Sequence, residues 1–432
     1  MNTKKNSYLY QKKADAREHA YRSLHDVLEG TTHTHLSSLH NVSIAASALA
    51  AKIPVPPAKI AARRRAAMIL TTCAACAKPL EHDASSRCVG CQTRYCSERC
   101  LRYHAHRGGH DDECEEIANG GGAEQYHADK KYEEAVAEAV EECADDTEGQ
   151  TCYICLDGDA EEGLVRMCAC RGAAGFAHVS CLAKQAKISW AEAEVNLNVN
   201  NFEERWGRWH TCGLCEQHYH GVVCCALGWA CWKTYLGRPE TDEVRTDAMT
   251  ILGNGLSEAE HYDDAVAVYE AKLATEERLG EPEPDKLITR GNLAICHYNL
   301  GQLDEALSMQ REVYAGRQNW GDGVPQDIAV CNLTEYLVAA REFEEAQSLA
   351  REKLPAIIDR HGPDDPLTLE VRTWYARALF LEGEDLSEAA TILEDVWRRS
   401  RRVLGEAHPE TERARKFLGE VRSARTDAAE EN

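Results

Sequence analysis

The sequence predicts a mainly α-helical protein in which two small, cross-braced, cysteine-rich modules are followed by an α-solenoid of helical hairpins. Three observations predict it. Most of the 20 cysteines lie between Cys73 and Cys231, in short C-x2-C steps interleaved with histidine. From residue 240 cysteine becomes rare, while alanine and leucine recur at helical spacing. That second half also repeats itself every 40 to 43 residues.

At 432 residues the chain has room for two or three domains. Residues 1–70 read as a mildly basic, partly helical or disordered segment. Its cluster of Lys59, Arg63, Arg64 and Arg65 reads as a solvated linker, with a nuclear-import signal or a transit peptide as alternatives. The net charge of −23 argues against general nucleic-acid binding, which needs a basic surface. No apolar leader opens the sequence and no apolar run is long enough for a bilayer. The longest, from Val222 to Trp232, reads as a buried helix within a bridge over 221–239. Without a secretory route, clustered cysteines point to metal rather than disulfides, and to the cytoplasm or nucleus.

Residues 71–114 hold the first module. Its candidate ligands are Cys73, Cys76, Cys88, Cys91, Cys96, Cys100, His110 and Cys114. A two-residue gap lets both sulfurs of a knuckle reach one tetrahedral Zn²⁺ at about 2.3 Å. Cys96 and Cys100 stand four apart, as do His110 and Cys114, so each pair fits one face of a helical turn. Eight ligands close two sites and leave no open position, the pattern of structural zinc. His104 and His106 are rival ligands, the H-x3-C step favouring His110. The order, and the hexapeptide Tyr95 to Cys100 (YCSERC) above all, resembles the MYND zinc finger. That resemblance implies interleaved wiring, with Cys73, Cys76, Cys96 and Cys100 on one zinc and Cys88, Cys91, His110 and Cys114 on the other. It also implies docking of short, often proline-containing peptides. The Cys100–His110 gap is longer than the family's, and no tryptophan precedes the histidine.

Residues 115–150 read as an acidic linker: a flexible hinge at Gly120-Gly121-Gly122, then a short amphipathic helix carrying Tyr132, Val136, Ala139, Val140 and Cys143 on one side. Cys143 has no partner at knuckle spacing and reads as an apolar contact.

The second module spans 151–220, with candidate ligands Cys152, Cys155, Cys168, Cys170, His178, Cys181, Cys212 and Cys215. The pieces CYICLD, CACRG and HVSCL resemble the RING-CH (RING-variant) finger. The resemblance implies that Cys152, Cys155, His178 and Cys181 share one zinc, and Cys168, Cys170, Cys212 and Cys215 the other. It further implies a shallow apolar groove for a ubiquitin-conjugating enzyme, with Ile154 as one contact. The tryptophan usual after the HxxC pair is missing, Ala183 to Ala186 standing there, and Glu216 occupies a position where active ligases often place a basic residue. The insert from Leu182 to Thr211 is long, and its Trp190, Trp206 and Trp209 read as covering the module's flank. A PHD finger, which shares the ligand order, is a rival; it usually has an aromatic residue where this chain has His210.

Residues 240–425 carry an acidic-alanine step at Asp263-Asp264-Ala265, Asp304-Glu305-Ala306, Glu344-Glu345-Ala346 and Ser387-Glu388-Ala389. Glycines at 280, 321, 362 and 405, with Pro282, Pro325, Pro363 and Pro409 nearby, end one helix and open the next. This predicts four hairpins and a capping helix from Pro409 to about Ser423, with a disordered tail over 426–432. The repeats resemble the tetratricopeptide repeats of kinesin light chains, Leu404 to Thr411 (LGEAHPET) matching that connector. The resemblance implies a concave groove that docks peptides or proteins. Cys296 and Cys331 read as core.

Together these features predict a zinc-binding adaptor, with four Zn²⁺ per chain, that docks partner proteins. The alternative is a RING-CH-type ubiquitin ligase that recruits a conjugating enzyme and holds substrate on the repeats. The sequence shows no Lys-Ser/Thr phosphate loop, G-x-S-x-G elbow, HExxH helix or SET halves, so a conventional enzyme is not expected.

Overall fold

The structure, a computed structural model, describes residues 73–430 apart from 77, 79, 81–85, 159–160, 197–201, 320–322, 384–385 and 407. The basic segment 1–70 with Lys59 and Arg63 to Arg65, and Gly321, lie outside the described residues.

A two-stranded antiparallel hairpin, β1 (Ser86–Arg87) and β2 (Arg94–Tyr95), opens the first module. Two helices follow, α1 (Glu98–Arg107) and α2 (His110–Asn119). Ser97 caps α1, its hydroxyl accepting from the Cys100 N–H at 3.3 Å.

The expected flexible glycine hinge is instead a docked turn. Gly121 and Gly122 take φ of 88° and 95°, which only glycine adopts without strain, and the next N–H, of Ala123, donates to the Cys91 carbonyl at 2.9 Å. The helix beyond it, α3 (Ala123–Glu142), runs 20 residues rather than forming a short piece. Its stripe of Ala128, Ala135, Val136 and Ala139 is buried, while Glu133, Glu134, Glu138 and Glu141 face solvent. Alanine permits close helix approach, so an acidic segment still builds a packed element.

After the short α4 (Ala144–Thr147), the second module contributes α5 (Val179–Asn196) and α6 (Phe202–Gly207). Trp190 meets Trp206 nearly edge-on, with centroids 4.9 Å apart, and Trp209 is fully buried. The bridge is α7 (Gly221–Tyr235), buried from Val223 through Trp232. It packs against α3 and α5 on one side and α8 (Glu243–Glu258) on the other. The α7/α8 crossing depends on Gly255, where a Cβ would fall 2.6 Å from the Cys224 carbonyl oxygen. One continuous core therefore joins α3, the second module, α7, α8, α9 (Tyr262–Leu279) and part of α10 (Glu283–Asn299).

The array consists of four hairpins and a final helix. The hairpins are α8/α9, α10/α11 (Leu303–Gln318), α12 (Val324–Ala339)/α13 (Phe343–His361) and α14 (Pro366–Glu382)/α15 (Leu386–Val403). Each acidic-alanine step opens the second helix of a hairpin: the carboxylates sit by the positive helix N-terminus, and Ala265, Ala306, Ala346 and Ala389 are fully buried. The tight turns place Glu260, Gly301, Arg341 and Gly383 in the left-handed region, with φ between 61° and 81°. The last helix, α16, runs Pro409–Glu430, past Ser423 and through 426–430, where a disordered tail was expected.

The open groove implied by the family resemblance is filled in mid-array. From Gln326 to Val338, α12 is buried on every face save half-buried Ile328. Against α12, Tyr298 stacks on Tyr336 at 4.4 Å, and Glu335, Glu370 and Glu410 are buried near Arg413. Among the described residues no helix is long and apolar enough to cross a membrane.

Candidate metal centres

The structure brings the sixteen candidate ligands into four groups of four. They are Cys73, Cys76, Cys96, Cys100; Cys88, Cys91, His110, Cys114; Cys152, Cys155, His178, Cys181; and Cys168, Cys170, Cys212, Cys215. Within each group the ligand atoms lie within 4.8 Å of one another. His104 is left outside: it stacks on His110 at 5.3 Å, and its Nδ1 lies 3.0 Å from the Tyr95 hydroxyl. His106 joins no group, and Cys143 is buried as a packing residue.

Four knuckles share one backbone design. The N–H of the first cysteine donates to the carbonyl five residues on: Cys73 to Lys78, Cys88 to Thr93, Cys152 to Asp157 and Cys212 to Gln217, at 2.8 to 3.0 Å. The residue after the second cysteine turns left-handed in three of them: Gln92, Leu156 and Glu216, with φ of 62°, 63° and 56°. Their N–H groups donate back to the carbonyls of Cys88, Cys152 and Cys212 at 2.8 to 3.0 Å. Such a turn aims both sulfurs inward. The N–H groups of Ile154 and Leu214 point at the Cys152 and Cys212 sulfurs, at 3.4 and 3.5 Å. The buried Thr93 hydroxyl reaches the Cys91 sulfur at 2.9 Å, an outer contact that spacing alone does not show.

The spacings fit a tetrahedral ion. With metal–sulfur bonds of about 2.3 Å and metal–nitrogen bonds of about 2.0 Å, ligand atoms stand roughly 3.5 to 3.8 Å apart. Cys76–Cys96, Cys96–Cys100 and Cys88–Cys114 sulfurs are each 3.5 Å apart, and Cys170–Cys212 are at 3.8 Å. His110 offers Nε2 to Cys91 at 3.5 Å, whereas His178 offers Nδ1 at 3.4 Å from Cys155 and 3.7 Å from Cys181.

The thiols compete for protons within each group. The hydrogen bond from Cys168, acting against burial, draws Cys212 down to about 4, and the same contact pushes Cys168 far up. Burial raises Cys88, but the Cys91 N–H and the His110 ring outweigh it and hold that thiol at about 6. Thiols that shed protons so readily are ready ligands for a divalent cation.

Comparison with known proteins separates the parts. Residues 152–200 match the RING-variant domain. Residues 287–319 and 378–410 match the tetratricopeptide repeat. Among solved structures, a kinesin light chain of Podosopora anserina with nearly identical TPR-like repeats is 19% identical, covering 52% of this chain and 97% of its own, with a TM-score of 0.35. BtubC (BKLC) from P. vanneervenii is 14% identical, covering 58% of this chain and 83% of its own, with a TM-score of 0.38. No curated protein sequence matches the chain.

Within the RING-variant module, half-buried Ile154 packs on the core while Leu156 is 79% and Leu214 51% exposed. The Tyr153 hydroxyl donates to Gln185 Oε1 at 3.4 Å, so the Cys152 knuckle meets α5, and Gly213 of the Cys212 knuckle approaches the same glutamine. Two knuckle tips thus flank one turn of α5. Sequence reading singled out Ile154 but not Leu214, although both stand inside a C-x2-C step. His210, the residue that bore on the PHD alternative, stacks on His218 at 5.0 Å.

Proposed function

We propose that this chain is a zinc-braced adaptor that docks protein partners, holding four Zn²⁺ in its two modules and working in the cytoplasm or nucleus. The observation that carries the reading is the shared core running from the RING-variant module through α7 into the first repeats. A partner bound at the module is thereby held at a fixed place relative to one bound on the array. We read the first module as a MYND-like finger; its support is the order of its ligands and the two interleaved groups they form.

A second reading, ubiquitin ligase, draws on the exposed Leu156 and Leu214 beside Ile154. Exposed apolar residues of this kind suit a ubiquitin-conjugating enzyme, while Glu216 lacks the positive charge that would steady a charged conjugate. An in-vitro assay with the full chain and a panel of conjugating enzymes separates the two. The adaptor reading expects no ubiquitin chains. Chains that form, and vanish with Ile154→Ala or Leu214→Ala, would establish the ligase and retire the adaptor-only reading.

A further inference from the structure

A cleft of about 190 Å³ opens between the linker helix α3, the bridge helix α7 and the first hairpin. Its floor is apolar, formed by Ala135, Cys225, Trp229 and Leu256, all buried. Its rim is anionic, with Glu134 and Glu138 from α3 and Asp263 and Asp264 from the start of α9. Two basic groups also line it. Lys131 is spent on Glu134 at 2.7 Å, and His261 stands 3.8 Å from Glu138. The space exceeds the cavities of about 150 Å³ that admit a benzene ring, so it holds one long side chain. An aromatic floor beneath a carboxylate rim suits a planar or extended cation with an aliphatic stem.

Resting on the adaptor reading, we infer that this cleft, and not the buried helix α12, is a docking site for a partner peptide, and that it takes an arginine or lysine side chain. The stem would lie along Trp229 and Leu256 and the charge would reach Glu138 and Asp263. A nucleic acid is disfavoured by the same carboxylates. The inference adds a partner chemistry that neither family match supplies, and it places the contact between the linker helix, the bridge helix and the first hairpin.

The test is a selection of random twelve-residue displayed peptides against the immobilised, zinc-loaded full chain. Enriched peptides are then measured against wild type and against a Glu138→Gln/Asp263→Asn variant whose melting curve matches wild type. Both positions are on the rim, so the core stays intact. Expected are peptides with an essential arginine or lysine that N-acetyl-arginine amide competes away and N-acetyl-citrulline amide does not. Their affinity should fall about tenfold in the variant, as for two screened ion pairs. Peptides that bind the variant as well as wild type overturn the cleft and leave the adaptor reading standing. Failure to enrich any peptide counts against both.

Discussion

The buried acids of the array make a sharp prediction about pH. Glu335, Glu370 and Glu410 come from α12, α14 and α16, and among the described residues the guanidinium paired with them is that of Arg413, 2.6 Å from Glu410 and 3.4 Å from Glu370. Tyr298, Cys331 and His408 complete the charged and titratable surroundings. Three carboxylates against one cation leave an excess of negative charge in a site closed to water. Burial, reinforced by Glu370 and only partly offset by Arg413, lifts Glu410 to about 8, and burial lifts Glu335 to about 7. A carboxyl raised on folding binds its proton more tightly in the fold, so stability is fully present below the free value near 4.5. It is lost as pH rises through the folded value. From pH 5.5 to 8.5 the loss through Glu410 is on the order of 3 kcal/mol. Glu410→Gln removes the titration while keeping the shape. Urea unfolding of the zinc-loaded chain, with hydrogen exchange read in α16, should show the variant gaining on wild type by about 3 kcal/mol between those two pH values. Comparing variant with wild type cancels the pH dependence of the zinc sites. A gap that stays constant within about 0.5 kcal/mol would refute the reasoning.

Three further outcomes are expected. Elemental analysis should return four zinc per chain, and chelation, which withdraws on the order of 10 kcal/mol of binding energy from each small site, should expose amides in both modules, α7 and α8 while α12 to α16 stay protected. Arg341, held at φ 65° in a tight turn, should give a protein more stable by about 0.5 to 1 kcal/mol when replaced in Arg341→Gly, measured by thermal unfolding. Ala346, fully buried at the start of α13, leaves no room for two more methyl groups, so Ala346→Val should destabilise the array by about 1 to 3 kcal/mol in the same assay.

What the sequence discloses and what it hides divide along the range of the interactions. The hairpins are legible because each acidic-alanine step reports a local event: carboxylates at a helix N-terminus and a small residue facing the neighbouring helix. The ligand groups are likewise written in short spacings, since a knuckle needs only two cysteines, the turn between them and a backbone bond five residues on. Thr93 is invisible at that level, because its hydroxyl reaches Cys91 only once the strand hairpin has formed. Glu335, Glu370 and Glu410 read as solvated charges in any window of sequence. They are buried because successive repeats close on one another, and that closure is a property of the whole array. The linker misled for the opposite reason. Its glutamates lowered its apparent hydrophobicity, yet an alanine stripe was sufficient to seat α3 against α7, and α7 in turn was sufficient to make the second zinc module and the first repeat one body. The cleft with its four carboxylates is lined by α3, α7 and the first hairpin, three elements of that shared core.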